Sequence, residues 1–169
     1  MKRIATILCS VAGLALALRG QEYLSPCDLD WGADGRSLYI TAATGRQVLH
    51  LDSASREVLR TIDFPCVLTG TAVSSDGKTL YVTGGGYRGK VFEVDAASGG
   101  IQRTIGLGHT PTAPVLAPDG STLFVCNQFD NEVACVDLAT GNVQAHVPVL
   151  REPTAADITP DGKTLFVAN

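Results

Sequence analysis

Asp30 and Asp157 are the acidic residues best placed to bind a ligand. Both lie four residues before an Asp-Gly pair, where the equivalent positions hold Ala72 and Val115. Carboxylates at such positions could bind a cation or a polar ligand inside a channel; the alternative is that they only face water. His109 lies in a Gly-His-Thr-Pro segment of a predicted loop, and its imidazole is a third candidate for ligand binding.

No pattern in the sequence predicts a catalytic residue or a metal site. The histidines His50, His109 and His146 have no partner at the spacing of metal-binding motifs. The Gly-x-Ser-x-Gly motif of a serine nucleophile does not occur either. These observations favour a binding protein over an enzyme, and we expect no catalytic residues and no metal ligands.

Residues 84–89 read Gly-Gly-Gly-Tyr-Arg-Gly and match the glycine spacing of a dinucleotide-binding loop. Such a site also needs a helix after the loop, so that the helix N-terminus faces the pyrophosphate. Residues 90–95 alternate between polar and apolar instead, which predicts a strand. The glycines are therefore expected in a hairpin loop. The net charge of −4 gives no indication of a nucleic-acid partner.

Four cysteines follow the first 20 residues, at Cys27, Cys66, Cys126 and Cys135. We predict two possible disulfides, Cys27–Cys66 between neighbouring repeats and Cys126–Cys135 across one hairpin, because an oxidising compartment permits them. The alternative is that some of these thiols are buried apolar side chains. No Cys-x-x-Cys-His motif occurs, so no cofactor is expected in this segment.

Residues 1–20 have the pattern of a signal peptide. Lys2 and Arg3 precede an apolar run from Ile4 to Leu18, and residues 15–17 read Ala-Leu-Ala, which resembles a cleavage site. A retained membrane anchor is the alternative, but the run is short for spanning a bilayer. The pattern predicts a secreted, periplasmic or cell-surface protein that has no membrane attachment after cleavage.

An Asp-Gly pair recurs along the sequence at intervals of 42 or 43 residues. The aspartates of these pairs are Asp34, Asp76, Asp119 and Asp161. Each pair lies between an apolar segment and a run of aromatic and β-branched residues, such as Leu-Tyr-Val-Thr at 80–83, and so predicts a tight hairpin turn. A third strand in each full unit ends at Asp52, Asp95 or Asp137. We expect both sets of aspartates to bond to turn amides.

Four antiparallel strands per unit predict an all-β fold, in which propeller blades are favoured over a sandwich or a barrel. The predicted domain covers residues 21–169, with blade units at about 26–64, 65–107, 108–150 and a truncated 151–169. The chain thus holds about 3.5 blades, and we expect an incomplete ring. Either the sequence is the N-terminal part of a longer protein, or several copies complete the ring.

The segments after the Asp-Gly pairs resemble the Tyr-Val-Thr-Asn motif of the YVTN family of β-propeller repeats. They read Leu-Tyr-Ile-Thr-Ala, Leu-Tyr-Val-Thr-Gly, Leu-Phe-Val-Cys-Asn and Leu-Phe-Val-Ala-Asn. Pro118 and Pro160 match the Pro-Asp-Gly turn of the family, whereas Ala33 and Ser75 depart from it. The resemblance covers about residues 26–169 and implies an exported, often seven-bladed module.

The leading prediction for function is an exported binding or scaffold module whose partner is a protein or a small polar ligand. Two alternatives stay open. Some bacterial proteins similar to this family carry a c-type cytochrome domain after the propeller, which would make this segment part of a periplasmic redox protein. Propeller lactonases bind a divalent cation with acids and amides around the channel, and Asp30, Asp157 and Asn127 are the candidates for that role here.

Overall fold

The computed structural model describes residues 24–169, so the predicted signal peptide lies outside the described residues. The described chain folds into three four-stranded antiparallel sheets and one two-stranded sheet. The first sheet contains β1 (Pro26–Trp31), β2 (Ser37–Ala42), β3 (Gln47–Asp52) and β4 (Val58–Asp63). The second contains β5 (Leu68–Val73), β6 (Thr79–Gly84), β7 (Lys90–Asp95) and β8 (Ile101–Gly106). The third contains β9 (Pro111–Leu116), β10 (Thr122–Asn127), β11 (Glu132–Asp137) and β12 (Asn142–Pro148). The last pairs β13 (Ala155–Ile158) with β14 (Leu165–Ala168).

Each sheet is a simple meander, in which every strand pairs with the strands before and after it in sequence. We call the sheets blades 1 to 4, in chain order. This architecture confirms the predicted all-β fold with about three and a half blades. The described residues contain no α-helix and one 3-10 turn at Gln128–Asp130. Across this part of the chain, no helix is both long and apolar enough to cross a membrane.

The Asp-Gly pairs form the turns between the first and second strands of each blade. In the first of them, Asp34 Oδ1 accepts the amide hydrogens of Arg36 and Ser37 at 2.8 and 2.7 Å. Gly35 follows with a φ of 65°, a conformation that favours glycine. The strand-ending acids act in the same way, since Asp95 Oδ1 accepts the Ser98 amide hydrogen at 2.7 Å. The prediction that these acids belong to turns is confirmed.

The apolar cores lie between blades, because successive side chains of a strand point to opposite faces of the sheet. On β6, Leu80 and Val82 pack in a cluster that includes Tyr39 of blade 1. Tyr81, between them, packs in a second cluster with Leu123 of blade 3. Each complete blade therefore depends on its neighbours for the burial of its second strand.

Arginines on the fourth strands add polar links between the outer parts of the blades. Arg60 donates from Nη1 to the carbonyl oxygen of Ser98 in blade 2. Arg103 donates from Nη2 to the carbonyl oxygen of Leu138 in blade 3 at 2.6 Å, and the same guanidinium contacts Glu93 Oε2. The two arginines occupy equivalent positions of the repeat, and each one links its blade to a turn of the following blade.

Candidate functional site

The first strands of all four blades line one cleft of about 440 Å³ on the inner side of the molecule. Asp30 and Asp157 both line this cleft, as the sequence predicted, and so does Asp28. Four threonines also line it, namely Thr69, Thr71, Thr112 and Thr154. A cleft with these groups is large enough for a small polar ligand.

The carboxylates of blade 1 bind the backbone of blade 2. Asp30 Oδ2 accepts the amide hydrogen of Val73 at 2.8 Å, and its Oδ1 accepts that of Trp31 at 2.8 Å. Asp28 Oδ2 accepts the amide hydrogen of Thr71 at 2.8 Å. These amides lie on the free edge of β5, where no strand can satisfy them. Asp28 and Asp30 therefore join two blades, a role that the sequence analysis did not foresee.

Burial in the cleft raises the pKa of Asp28 and Asp30 above the ordinary value of 3.8, although their amide donors act in the opposite direction. Hydrogen bonds lower the pKa of the turn acids, most strongly for Asp34, whose amide donors hold its pKa at about 2. The other turn acids shifted downwards are Asp52, Asp76, Asp95, Asp119, Asp137 and Asp161.

We expect stability to pass through a maximum in mildly acidic solution. The turn acids stabilise the fold above pH 3.8, and this stability is lost as the pH falls through their lowered pKa values, for Asp34 towards 2. Asp28 and Asp30 have the opposite effect on stability. As the pH rises above 3.8, the unfolded chain loses these protons before the folded chain does, so stability falls until the pH has passed the raised pKa values.

Urea midpoints measured from pH 2 to 8 test this expectation. In the Asp28→Asn/Asp30→Asn variant, the decrease on the neutral side of the maximum should disappear while the loss below pH 4 remains. An unchanged neutral side would contradict the assignment.

Asp157 repeats half of the arrangement around Asp30. Its Oδ1 accepts the amide hydrogen of Ile158 at 2.8 Å, as Asp30 Oδ1 does with Trp31. Within residues 24–169, no donor contacts its Oδ2. Over the same residues, no three His, Cys, Asp or Glu side chains form a group that could hold a metal ion. Asn127 does not line the cleft; its Nδ2 donates instead to Glu132 Oε1 at 2.8 Å.

His109 lies outside the cleft, in the connection between blades 2 and 3. Its ring lies 5.6 Å from that of Tyr87, in an edge-on arrangement, and 4.9 Å from that of Phe129. Tyr87 is 80% exposed and Phe129 is 51% exposed. We call these three residues the aromatic cluster. Exposed aromatic side chains are common at binding surfaces, because their rigid rings bury a large area at low entropic cost.

Backbone hydrogen bonds hold the aromatic cluster in place from both sides. The Thr110 amide donates to the Gly86 carbonyl at 2.9 Å, and the Phe129 amide donates to the His109 carbonyl at 3.3 Å. The His109 amide donates to Asp130 Oδ2 at 2.6 Å. A Cβ atom on Gly108 would overlap the Asp130 carboxylate, so this close approach requires glycine. These bonds connect the β6–β7 loop, the β8–β9 connection and the β10–β11 turn.

In the glycine-rich segment 84–89, Gly84 ends β6 and residues 85–89 form the β6–β7 loop, which the strand β7 follows. The prediction of a hairpin loop in place of a nucleotide-binding turn is confirmed. Gly85 has a φ of 84°, and Gly89 lies so close to Gly108 that a side chain would not fit. The glycines thus allow the loop to present Tyr87 beside His109.

A polar cluster around His50 was missed by the sequence analysis. His50 Nε2 lies 2.9 Å from Ser37 Oγ, which donates to Asp34 Oδ2 at 2.8 Å. The ring of Tyr39 stacks on the imidazole at 4.6 Å, and burial lowers the pKa of His50. The carboxylate contacts the serine and not the imidazole, so the order of a catalytic triad is not reproduced. Only the pairing of β2 with β3 brings these residues together.

The four described cysteines are free thiols in this structure. Cys27 Sγ contacts the carbonyl oxygen of Leu68 in blade 2 at 3.9 Å. Thr69 occupies the equivalent position of blade 2, and its Oγ1 donates to the carbonyl oxygen of Pro111 in blade 3. Cys126 lies opposite Val133, and Cys135 lies opposite Phe124, so these two cysteines are diagonal neighbours. Both disulfide pairings remain predictions.

Alkylation followed by mass spectrometry should separate the thiols by reactivity. Cys126 is fully buried, and burial raises its pKa to about 11, so we expect it to react last. Cys27 is exposed and should react before it. Rapid labelling of Cys126 in the folded protein would contradict the structure. Resistance of a cysteine pair until reductant is added would instead support the corresponding disulfide.

One comparison with solved structures identifies the architecture. Hydrazine synthase from Kuenenia stuttgartiensis superposes on this chain with a TM-score of 0.81 and 24% sequence identity. That protein contains a β-propeller. This chain is a β-propeller. Residues 24–169 form three complete blades and one partial blade. At this level of identity the likeness to the propeller of hydrazine synthase shows the fold alone.

The match covers 89% of this chain and 43% of the hydrazine synthase chain. The propeller described here therefore spans less than half of the length of its structural neighbour. No family model matches the sequence. No curated protein matches it either.

Proposed function

We propose that this β-propeller is an exported binding or scaffold module of the YVTN type, and that it is part of a larger protein. The aromatic cluster of Tyr87, His109 and Phe129 is its recognition surface. The observation that carries the proposal is the exposure of Tyr87 and Phe129 on a backbone platform that is hydrogen-bonded from both sides. A preformed aromatic surface loses little conformational entropy on binding.

The inner cleft supports a structural role better than a recognition role. Asp30 uses both carboxylate oxygens for backbone amides, and Asp28 uses both as well. A ligand that binds these carboxylates would share oxygens that already accept the amide hydrogens joining blades 1 and 2. The aromatic cluster has no such competing function, and His109 at its centre can donate or accept a hydrogen bond.

The proposals of YVTN type and export rest on the sequence. The Leu-Tyr-Ile-Thr, Leu-Tyr-Val-Thr and Leu-Phe-Val segments that follow the Asp-Gly pairs support the first. Residues 1–20, with two early basic residues and a 15-residue apolar run, support the second. A secreted, periplasmic or cell-surface location follows from the second proposal. N-terminal sequencing of the protein recovered outside the cytoplasm tests it, and a mature chain that still begins at Met1 would contradict it.

Ligand screening by NMR, with a set of short peptides and saccharides as probes, tests the recognition surface. Binding probes should shift the amide signals of residues 84–89, 107–110 and 127–131. The Tyr87→Ser/Phe129→Ser variant should bind them at least tenfold more weakly, because exposed aromatic anchors carry much of the energy of a binding surface. Leu59→Ser, which changes another exposed apolar side chain, is the matched control. Equal loss of binding in both variants would contradict the proposal.

The lactonase-like alternative makes a different prediction for the inner cleft. If Asp30 and Asp157 held a divalent cation, added calcium or zinc would raise the melting temperature. The recognition proposal expects no such change, because within residues 24–169 no three His, Cys, Asp or Glu side chains form a group that could hold a metal ion. The redox alternative would be favoured if a longer form of the protein carried a Cys-x-x-Cys-His motif.

A further inference from the structure

We propose that a cavity between blades 1 and 2 binds a small organic ammonium ion, which Tyr39, His50 and Asp95 hold by hydrogen bonds. The cavity lies beside the Asp-Gly turns, at the opposite end of β6 and β7 from the loop that carries Tyr87. The site is therefore separate from the aromatic cluster and goes beyond the proposed recognition surface.

The turns of blade 1 and blade 2 enclose this cavity, which has a volume of about 550 Å³. Its polar walls come from Asp34, Ser37, Tyr39 and His50 of blade 1 and from residues 76–78 and 95–97 of blade 2. Both blades have all four strands, so both walls are complete. The volume lies in the usual range of sites for small organic ligands.

The hydroxyl group of Tyr39 gives the first indication of a ligand. Tyr39 lines the cavity and is only 4% exposed. Within residues 24–169, no protein group forms a hydrogen bond with this hydroxyl. Because polar groups in such buried positions normally have a hydrogen-bond partner, the hydroxyl calls for a polar group inside the cavity.

The imidazole of His50 offers a second free group, an acceptor nitrogen. Ser37 Oγ donates its one hydrogen to Asp34 Oδ2 at 2.8 Å, so it must accept the hydrogen of His50 Nε2 at 2.9 Å. Burial lowers the pKa of His50, which favours the neutral ring. In a neutral ring with hydrogen on Nε2, Nδ1 is an acceptor, and across the described residues no donor contacts it.

The charges around the cavity favour a cation. Hydrogen bonds lower the pKa of Asp34, Asp76 and Asp95, so all three are carboxylates at neutral pH. Lys78 is the cation in the lining, and its Nζ lies 3.7 Å from Asp76 Oδ2. Asp95 Oδ1 accepts the Ser98 amide and hydroxyl hydrogens, while within the described chain no donor contacts Oδ2.

These groups together define the chemistry of the ligand. An ammonium group has several N–H donors, which suit the Asp95 carboxylate, the His50 nitrogen and the oxygen of the Tyr39 hydroxyl. An anion would instead meet three carboxylates, and like charges repel. A small organic amine is thus the class of ligand that uses all of the open acceptors.

The site is particular to blades 1 and 2, because the repeat does not keep His50. Glu93 holds the equivalent position in blade 2, opposite Tyr81, and Cys135 holds it in blade 3. Glu93 Oε2 already accepts the Nε hydrogen of Arg103 at 2.8 Å. At the next interface the corresponding side chain is therefore occupied by an arginine of its own blade.

An NMR titration with putrescine tests the proposal on the whole chain. Putrescine should shift the amide signals of residues 32–39, 76–78 and 95–97. Butane-1,4-diol, which has hydroxyl groups in place of the ammonium groups, should bind about tenfold more weakly, since it lacks charge-assisted hydrogen bonds.

Two variants have matched controls elsewhere in the repeat. Tyr39→Phe removes only the unbonded hydroxyl and should weaken putrescine binding about fivefold, whereas Tyr81→Phe should not change it. Asp95→Asn keeps an acceptor for the turn but removes the charge, and should weaken binding about tenfold. Asp137→Asn makes the same change in the equivalent turn of blade 3 and should leave binding unchanged.

Three results would overturn the proposal. They are the absence of shifts around the cavity at saturating putrescine, equal affinity for the diol, and equal weakening by a variant and its control. Shifts confined to residues 85–89 and 107–110 would place the amine on the aromatic cluster and would also overturn it. Failure of the amine site leaves the proposed recognition surface untouched, because that surface is tested with other probes and other variants.

Discussion

Replacement of Leu80 with alanine should lower the free energy of unfolding by about 2–5 kcal/mol, the usual cost of deleting a buried leucine. The Leu80 side chain is fully buried in the cluster between blades 1 and 2, against Val82 and the ring of Phe92. Close-packed strands on both sides leave the cavity little room to collapse, which places the cost in the upper part of this range. Urea denaturation followed by circular dichroism measures the change.

Leu59→Ala is the matched control for Leu80→Ala. Leu59 is 57% exposed on β4, so its truncation should change the free energy of unfolding by no more than about 0.5 kcal/mol. Similar losses for the two variants would indicate that the interface between the blades is not the core of the protein.

Replacement of Asp30 with asparagine should destabilise the protein by about 1–3 kcal/mol, although the two side chains have almost the same shape. Asparagine has one acceptor oxygen, so either the Trp31 or the Val73 amide loses its partner. The side-chain NH₂ group of the asparagine would then face a backbone N–H group, and two donors cannot form a hydrogen bond with each other. Urea denaturation gives the total effect, and hydrogen exchange at Val73 gives the local one.

The sequence supplies an internal control, because Asp157→Asn makes the same change at the equivalent position of blade 4. Asp157 Oδ2 has no donor within residues 24–169, so the change in unfolding free energy should stay below about 0.5 kcal/mol. If Asp157→Asn were as costly as Asp30→Asn, the link between Asp30 and Val73 would not be the cause of the loss. Faster exchange of the Val73 amide in Asp30→Asn alone would support the link.

The turns and strands could be predicted from the sequence because their causes are local. The bonds of Asp34 reach only two or three residues ahead, and Gly35 supplies the positive φ of the same turn. Since the pattern recurs at Asp76, Asp119 and Asp161, each copy supported the others. The same comparison correctly assigned the glycines at 84–89 to a hairpin loop.

The role of Asp30 could not be predicted, because its partner lies 43 residues ahead on another blade. Asp30 and Asp157 have the same position in the repeat, yet only the structure shows which backbone edge each one faces. The contact between Ser37 Oγ and His50 Nε2 likewise depends on the register of β2 and β3. The sequence identified His109 but not its ring contacts, since Tyr87 and Phe129 reach it from two different blades.

The central claim is a division of roles, in which the inner acids join blades and the aromatic cluster recognises the partner. Residue-resolved NMR mapping of bound peptides or saccharides tests it most directly, because both regions are observed in the same spectra. We predict shifts of the Tyr87, His109 and Phe129 amides, with the signals of β1, β5 and β13 unchanged. Shifts confined to the cleft at Asp28, Asp30 and Asp157 would contradict this account.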